Sequence, residues 1–296
     1  MKKVIIAVIA FSLLLACTPE EKAVLVTGIS LDVTAVTIFE GETVTLVPSV
    51  TPDNATDKSV TWSSTDNSVA TVDANGKVTA VSGGSATIRA SAKDGSLKYA
   101  ECAVKVKVPC PPGAVDLGLS VYWASCNLSE DGFVKSPEQF GDYYAWGELE
   151  PKSEYNWSTY KWCNGSYNSL TKYDSWKEAL DESDDAAHVK LGDRWRIPSD
   201  NNWTELKLNC EWRLTTQNGV YGILVTGSNG NSIFFPSAGY RQNTDYYEVG
   251  SEGYYWSSTR SKDIDYAAWN LLFNSKGVLV DYMERDLGAL VRPVYY

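Results

Sequence analysis

Residues 253–293 read GYYWSSTRSKDIDYAAWNLLFNSKGVLVDYMERDLGALVRP, a run that gathers aromatic, amide and charged side chains into short strand-like segments. That mixture suits recognition. Aromatic rings give broad amphipathic contact at low entropic cost, while amides and charges set direction. It does not suit nucleophilic catalysis, because His188 is the single histidine and no activated nucleophile stands beside it in sequence. A glycosidase needs two carboxylates, and among 37 acidic residues no spacing singles out a pair. The run DESDD (181–185) has no cation-loop spacing and reads as a solvated acidic turn. One histidine and no C-x-x-C argue against structural zinc, and no cofactor motif is present.

The N-terminal residues set the address. Lys2 and Lys3 precede an almost unbroken apolar run over residues 4–15, short for a membrane span and right for a secretory leader. It ends in LLAC (14–17), which resembles the bacterial lipobox, so the expectation is a leader over 1–16 and lipid attachment at Cys17. Acylation of that cysteine would supply the membrane contact. The tether that follows (17–24) carries Glu20 and Glu21, which resemble a surface-export signal of Bacteroidetes lipoproteins. The chain has a net charge of −11 and no basic stripe, which argues against nucleic acid as a partner.

Five cysteines remain after Cys17. An oxidising envelope permits disulfides. Cys126 with Cys210 is the favoured pair, each lying close to a Trp in a strand-like setting, and Cys102 in an alternating strand is the expected buried thiol.

Composition divides what is left. Of 11 Trp only Trp62, and of 18 Tyr only Tyr99, lie before residue 110. Residues 25–107 read as short Val/Thr/Ile-rich strands separated by turn clusters, with Asn75-Gly76 as a hairpin signal, which together predict a β-sandwich. ISL (29–31), VTWSS (60–64), VATV (69–72), GKVTAV (76–81) and GSATI (84–88) resemble the group 2 bacterial immunoglobulin-like family. That resemblance implies an all-β immunoglobulin-like sandwich serving as a spacer, with Trp62 between the sheets. VPCPPG (108–113) forms a stiff linker.

Residues 114–296 change style. The stretch 150–175 is rich in Ser, Tyr, Asn and Trp and reads as long loops. Ser199 is a good N-cap for a helix over 200–209, with Trp203 and Leu206 at helical spacing. Consecutive strands with Gly and Asn turns follow. VDLGLS (115–120), WASCN (123–127), GDYYAWGE (141–148), WRIPS (195–199), FPSAGY (235–240), YWSS (255–258) and VRPV (291–294) resemble the Fibrobacter succinogenes major paralogous domain, whose motif order looks like C-type-lectin-like folds. The resemblance implies an α+β C-type-lectin-like domain in which the last strands and loops form the recognition face. It also implies that Trp123, Trp146, Trp195 and Trp256, inside the motifs, are core. Ligand contacts then fall on residues between the motifs: Arg260, Asp263, Asp265, Tyr266, Asn270, Asn274, Asp281, Tyr282 and Arg285. A lectin-type calcium site is not expected, because Trp269-Asn270-Leu271 lacks the third oxygen ligand. The formylglycine-generating enzymes share a related fold, but their paired cysteines near the C-terminus are missing here.

The expectation is an outer-membrane, lipid-anchored protein that binds a glycan or protein at the cell surface without catalysis. A structural component of the envelope and a glycan-active enzyme stand as the rival readings.

Overall fold

The computed structural model describes residues 22–174 and 177–296, so Cys17 and the expected leader lie outside the described residues. The chain divides after Pro109 into two compact units. It is mostly β, with 43% strand and 7% helix.

The first unit holds β1 (Gly28–Leu31), β2 (Ala35–Phe39), β3 (Thr43–Thr45), β4 (Pro48–Thr51), β5 (Val60–Ser64), β6 (Ala70–Val72), β7 (Lys77–Ala80), β8 (Gly84–Ala92) and β9 (Tyr99–Lys107). One sheet runs β2-β9-β8-β5, with β2 parallel to β9; β3-β7-β6 and β1-β4 complete the unit. Period-two alternation builds its core: Cys102, Val104 and Val106 of β9 turn inward against Ile88, Leu46 and Val78, while Glu101, Lys105 and Lys107 face water. Cys102 is thus the enclosed thiol that its strand pattern predicts, and Trp62 packs half-buried against the same core. The β6–β7 connection is the expected Asn-Gly turn. Asp73 Oδ1 accepts from the N–H of Asn75 (2.8 Å) and Lys77 (3.0 Å), and Gly76 takes φ +79°, where it also lies too close to Trp62 for a side chain.

In the second unit β10 (Ala114–Val115), β11 (Tyr122–Ala124), β12 (Leu128–Ser129) and β13 (Gly132–Phe133) come first. A long segment with no named strand among its described residues leads to α1 (Ala186–Leu191), β14 (Trp195–Arg196) and α2 (Asp200–Asn209). Then follow β15 (Glu211–Gln217), β16 (Val220–Thr226), β17 (Ser232–Pro236), β18 (Tyr240–Gln242), β19 (Asp245–Tyr247), β20 (Gly253–Arg260), β21 (Ala267–Asn274), β22 (Gly277–Glu284) and β23 (Val294–Tyr295). The last strand returns to the first: β23 lies between β11 and β14, with Trp123 opposite Val294. Two antiparallel meanders, β15-β16-β17 and β20-β21-β22, pack around Trp123, Trp203, Phe235, Tyr255 and Phe273. Helix α2 starts where its cap predicts, with Ser199 Oγ accepting from Asn202 N–H at 3.1 Å and Asn202 Oδ1 returning the bond to Ser199 N–H at 2.9 Å.

Five of the seven motifs of this unit, WASCN, GDYYAWGE, FPSAGY, YWSS and VRPV, interlock largely through side-chain bonds to main-chain carbonyls. Arg292 is fully enclosed. Its Nε donates to Asn127 Oδ1 (2.7 Å), Nη1 to the carbonyls of Ser125 (2.8 Å) and Ala124 (3.1 Å), and Nη2 to that of Phe234 (2.7 Å), while the guanidinium lies 4.5 Å from the Phe235 ring centre. Asn127 donates to the Phe140 carbonyl at 2.7 Å. Tyr255 hydroxyl donates to Pro236 O (2.9 Å), Trp256 Nε1 to Tyr144 O (2.6 Å), Trp146 Nε1 to Ser257 O (2.8 Å) and Trp203 Nε1 to Trp256 O (3.2 Å). Each bond gives an acceptor oxygen a partner inside the core, where an unpaired one is costly. Gly239, in FPSAGY, has φ +61° and would place a Cβ 1.8 Å from the Tyr247 carbonyl, so only glycine fits there.

Two expectations are corrected here. Cys126 and Cys210 are both free thiols, as are all the described cysteines. Cys210 instead closes the C-terminus of α2 and packs on the core, where burial pushes its thiol up to about 11. The DESDD turn is not a solvated acidic turn either. Asp184 (4% exposed) accepts from the Tyr173 hydroxyl and from Lys172, and Asp185 (3% exposed) caps α1 through His188 N–H (3.0 Å) and takes Ile197 N–H (2.9 Å). These acids tie Lys172, Tyr173, α1 and Ile197 together because each satisfies donors that would otherwise be buried alone.

Candidate binding cleft

The structure sorts the nine expected ligand residues into three groups. Arg260, Asn270 and Arg285 are buried, at 6%, 2% and 0% exposure, and cannot meet a ligand from solvent. Arg285 donates to the carbonyls of Tyr173 (3.1 Å) and Ala267 (3.3 Å), and its guanidinium sits 4.8 Å from the Trp146 ring centre. Arg260 donates to the carbonyls of Lys177 (3.0 Å) and Ser261 (2.9 Å). Their long donor-rich side chains fasten loops to the core, a use of arginine that composition alone cannot tell from ligand binding.

Asn274, Asp281 and Tyr282 lie on the β21–β22 hairpin. Asn274 Nδ2 donates to Glu252 at 2.8 Å, Asp281 Oδ1 accepts Tyr282 N–H at 2.8 Å, and Tyr282 sets its ring edgewise to Trp269, centres 5.9 Å apart.

Asp263, Asp265 and Tyr266 come together in one cleft of about 640 Å³, whose other wall is Tyr167, Asn168, Leu170 and Asp174. Two loops shape it. The loop between β20 and β21 is held by Ser261 Oγ, which accepts the N–H groups of Ile264 (3.1 Å) and Asp263 (3.2 Å), and by Ala267 N–H to Ile264 O at 3.0 Å. The facing loop is a small hairpin: Cys163 bridges Leu170, Asn164 N–H donates to Ser169 O (2.9 Å) and Thr171 N–H to Trp162 O (2.9 Å), which leaves Tyr167 at the tip. Behind both, the Trp157 ring meets Tyr167 (6.3 Å) and Tyr266 (6.1 Å) edgewise, and those two tyrosines meet each other at 5.1 Å. Tyr167 and Tyr266 therefore meet across the cleft with Trp157 backing both, and an amide and three carboxylates surround the two tyrosines. Among the described residues only Asp265 of those carboxylates has a cation in reach, Arg260 Nη1 at 3.5 Å.

Chemically this cleft can stack on an apolar ring face and accept hydrogen bonds at its rim. Among the described residues no three His, Cys, Asp or Glu side chains converge to hold a metal ion. His188 is engaged elsewhere, with Arg196 Nη1 lying 2.5 Å from its Nδ1. Sequence reading missed Trp157, Tyr167, Asn168 and Asp174. Their only signal was the Ser/Tyr/Asn/Trp-rich composition of residues 150–175, which marks loops without saying what they face.

Residues 25–103 match the family model described as bacterial Ig-like domain (group 2). The first unit is a group 2 bacterial Ig-like domain. Relatives of this Ig-like domain occur in larger proteins. The chain is 46% identical over 84 residues to an uncharacterized protein of Clostridium acetobutylicum, covering 28% of this chain and 9% of that protein. It is 45% identical over 85 residues to an alpha-L-arabinofuranosidase of Bifidobacterium longum (29% of this chain, 8% of the enzyme). It is 41% identical over 103 residues to a lacto-N-biosidase of Bifidobacterium bifidum (33% and 9%). The two enzyme matches are confined to the Ig-like region, and the chain spans less than a tenth of each relative's length. Residues 212–294 match a model described as domain of unknown function (DUF8237), which takes in β16 to β22 and one wall of the cleft.

Proposed function

We propose that this protein is a lipid-anchored cell-surface binding protein whose second unit, a C-type-lectin-like head, takes a glycan without catalysis in the cleft lined by Tyr167 and Tyr266. The observation that carries this reading is the joined pair of cleft tyrosines, Tyr167 and Tyr266, backed by Trp157 and set beside side chains that accept hydrogen bonds. Sugar rings present apolar C–H faces and hydroxyl edges, which such a pair and rim complement. The enzyme names of two relatives of the Ig-like domain support a glycan setting for that domain. The head assignment is supported by its motif residues, several of which bond to one another as a scaffold. Three carboxylates at the rim disfavour uronates and sialylated chains, so neutral glycans are the preferred class.

An array of neutral and acidic glycans tests the reading. Tyr167→Ala and Tyr266→Ala are each expected to weaken binding about tenfold or more, the usual scale for a central aromatic contact, while Tyr282→Ala leaves it unchanged. Absence of binding to every glycan, or full binding by both cleft variants, rejects the cleft; turnover of a bound glycan rejects the non-catalytic reading.

Anchoring rests on the apolar run of residues 4–15 and Cys17. Cys17→Ser is expected to move the protein from the membrane fraction to the soluble fraction of cells and to abolish incorporation of labelled fatty acid; an unchanged distribution refutes lipid attachment.

A further inference from the structure

We propose that the outer edge of β22 pairs antiparallel with the same strand of a second copy of this chain, joining two β20-β21-β22 sheets into one. This does not depend on the glycan reading.

The sheet has two edges, and they differ. The β20 edge is closed within the chain: Gly253 bridges Gly239, Tyr255 bridges Leu290, and Trp256 N–H donates to Leu290 O at 2.9 Å. The β22 edge is open. Its hairpin closes on Asn274 opposite Gly277 across Ser275-Lys276, and a two-residue hairpin closes on a hydrogen-bonded pair. Alternation then gives residues 277, 279, 281 and 283 to β21 and points the N–H and C=O groups of Val278, Val280 and Tyr282 outward. Among the described residues no backbone group reaches Val278 or Val280 on that side, and Tyr282 N–H has only the neighbouring Asp281 carboxylate.

Open edges in monomers are kept short, kinked, prolyl or charged. β22 is eight residues long, GVLVDYME, with no Pro and no register shift against β21. It is also flanked by exposed apolar side chains. Leu279 is 50% and Tyr282 44% exposed, and Leu208 of α2, 74% exposed, shares a cleft of about 290 Å³ with Trp269 and Val280.

Self-pairing is favoured over a foreign strand by charge. A two-fold axis at Val280 places Val280 against Val280 and Val278 against Tyr282, outward-pointing pairs as an antiparallel ladder requires, and brings Lys276 of the hairpin turn level with Glu284 of the second copy. The last pairing occurs twice. Neither Lys276 nor Glu284 has an ion pair within the described chain. Sliding the register by two residues either way loses both Lys–Glu pairs.

Sedimentation equilibrium of the full chain in density-matched detergent tests this. Wild type is expected to show a reversible monomer–dimer equilibrium. Lys276→Glu sets like charges opposite each other at both ends and is expected to raise the dimer dissociation constant about tenfold or more. Lys276→Glu with Glu284→Lys restores opposite charges and is expected to recover most of that loss. A single protomer mass at every concentration, as a foreign strand partner would leave, overturns the proposal. So does a dimer that Lys276→Glu leaves untouched, as association through lipid or another face would give.

Discussion

Arg292→Leu is expected to lower the stability of the second unit by on the order of 4 kcal/mol, enough to unfold a marginal domain. The loss follows from what the guanidinium leaves behind. Asn127 Oδ1 and the carbonyls of Ala124, Ser125 and Phe234 would face a hydrocarbon side chain, each an acceptor in the interior with water shut out. Leucine matches much of the apolar packing against Phe235 but none of the bonding. Arg292→Lys keeps the charge and reaches at most part of that set, so it should fall between, because an ammonium lacks the planar fork. Urea unfolding followed by tryptophan fluorescence reads this cleanly, since of 11 Trp only Trp62 belongs to the Ig-like domain. An Arg292→Leu midpoint equal to wild type would show that the carbonyls find other partners.

Asp286→Asn should act in the opposite direction, and only in neutral and basic solution. Asp286 is 3% exposed, and its Oδ1 has no partner among the described residues. Burial pushes its carboxyl up to about 7, with the like charge of Glu284 adding to the rise and Lys152 opposing it. In the unfolded chain the same group titrates near 3.9. Folded protein therefore keeps a proton that unfolded protein releases between about pH 4 and 7. The contribution of Asp286 is intact below about pH 4 and is lost as pH rises through about 7, at a cost of up to ~4 kcal/mol above that. Asparagine keeps the shape without the charge. The variant should match wild type at pH 4 and exceed it by a few kcal/mol at pH 8 in thermal or urea unfolding. An equal gain at both values, or none, would mean that the carboxylate is solvated or paired in solution.

The parts of this molecule that were legible in sequence are those governed by local rules. The Ser199 cap, the Asn75-Gly76 turn and the alternation of β9 need only neighbours a few residues away. What was not legible depends on distant partners. Tyr167 and Tyr266 share a cleft through the closing of two loops, and no nearby pattern links them. Arg260 and Arg285 read as ligand contacts because exposed arginine is the usual case. Only the assembled core shows carbonyls waiting for them. The same holds for Asp184 and Asp185, whose acidic run suggests solvent until Tyr173, Lys172 and Ile197 are placed around them. Free cysteines at 126 and 210 show the reverse error, since residue type suggested a bond that the fold does not make.

The return of β23 to lie between β11 and β14, locked by Arg292, also sets an order of events during synthesis. The Ig-like domain draws its core from one continuous stretch and can fold as soon as that stretch has emerged. The second unit cannot close until residues 291–295 are available to Trp123 and Asn127, some 170 positions earlier. Such sequence-distant closure is slow and leaves apolar strands uncovered meanwhile. A nascent chain would thus present one finished domain ahead of an unfinished one, a state in which chaperone binding has time to act.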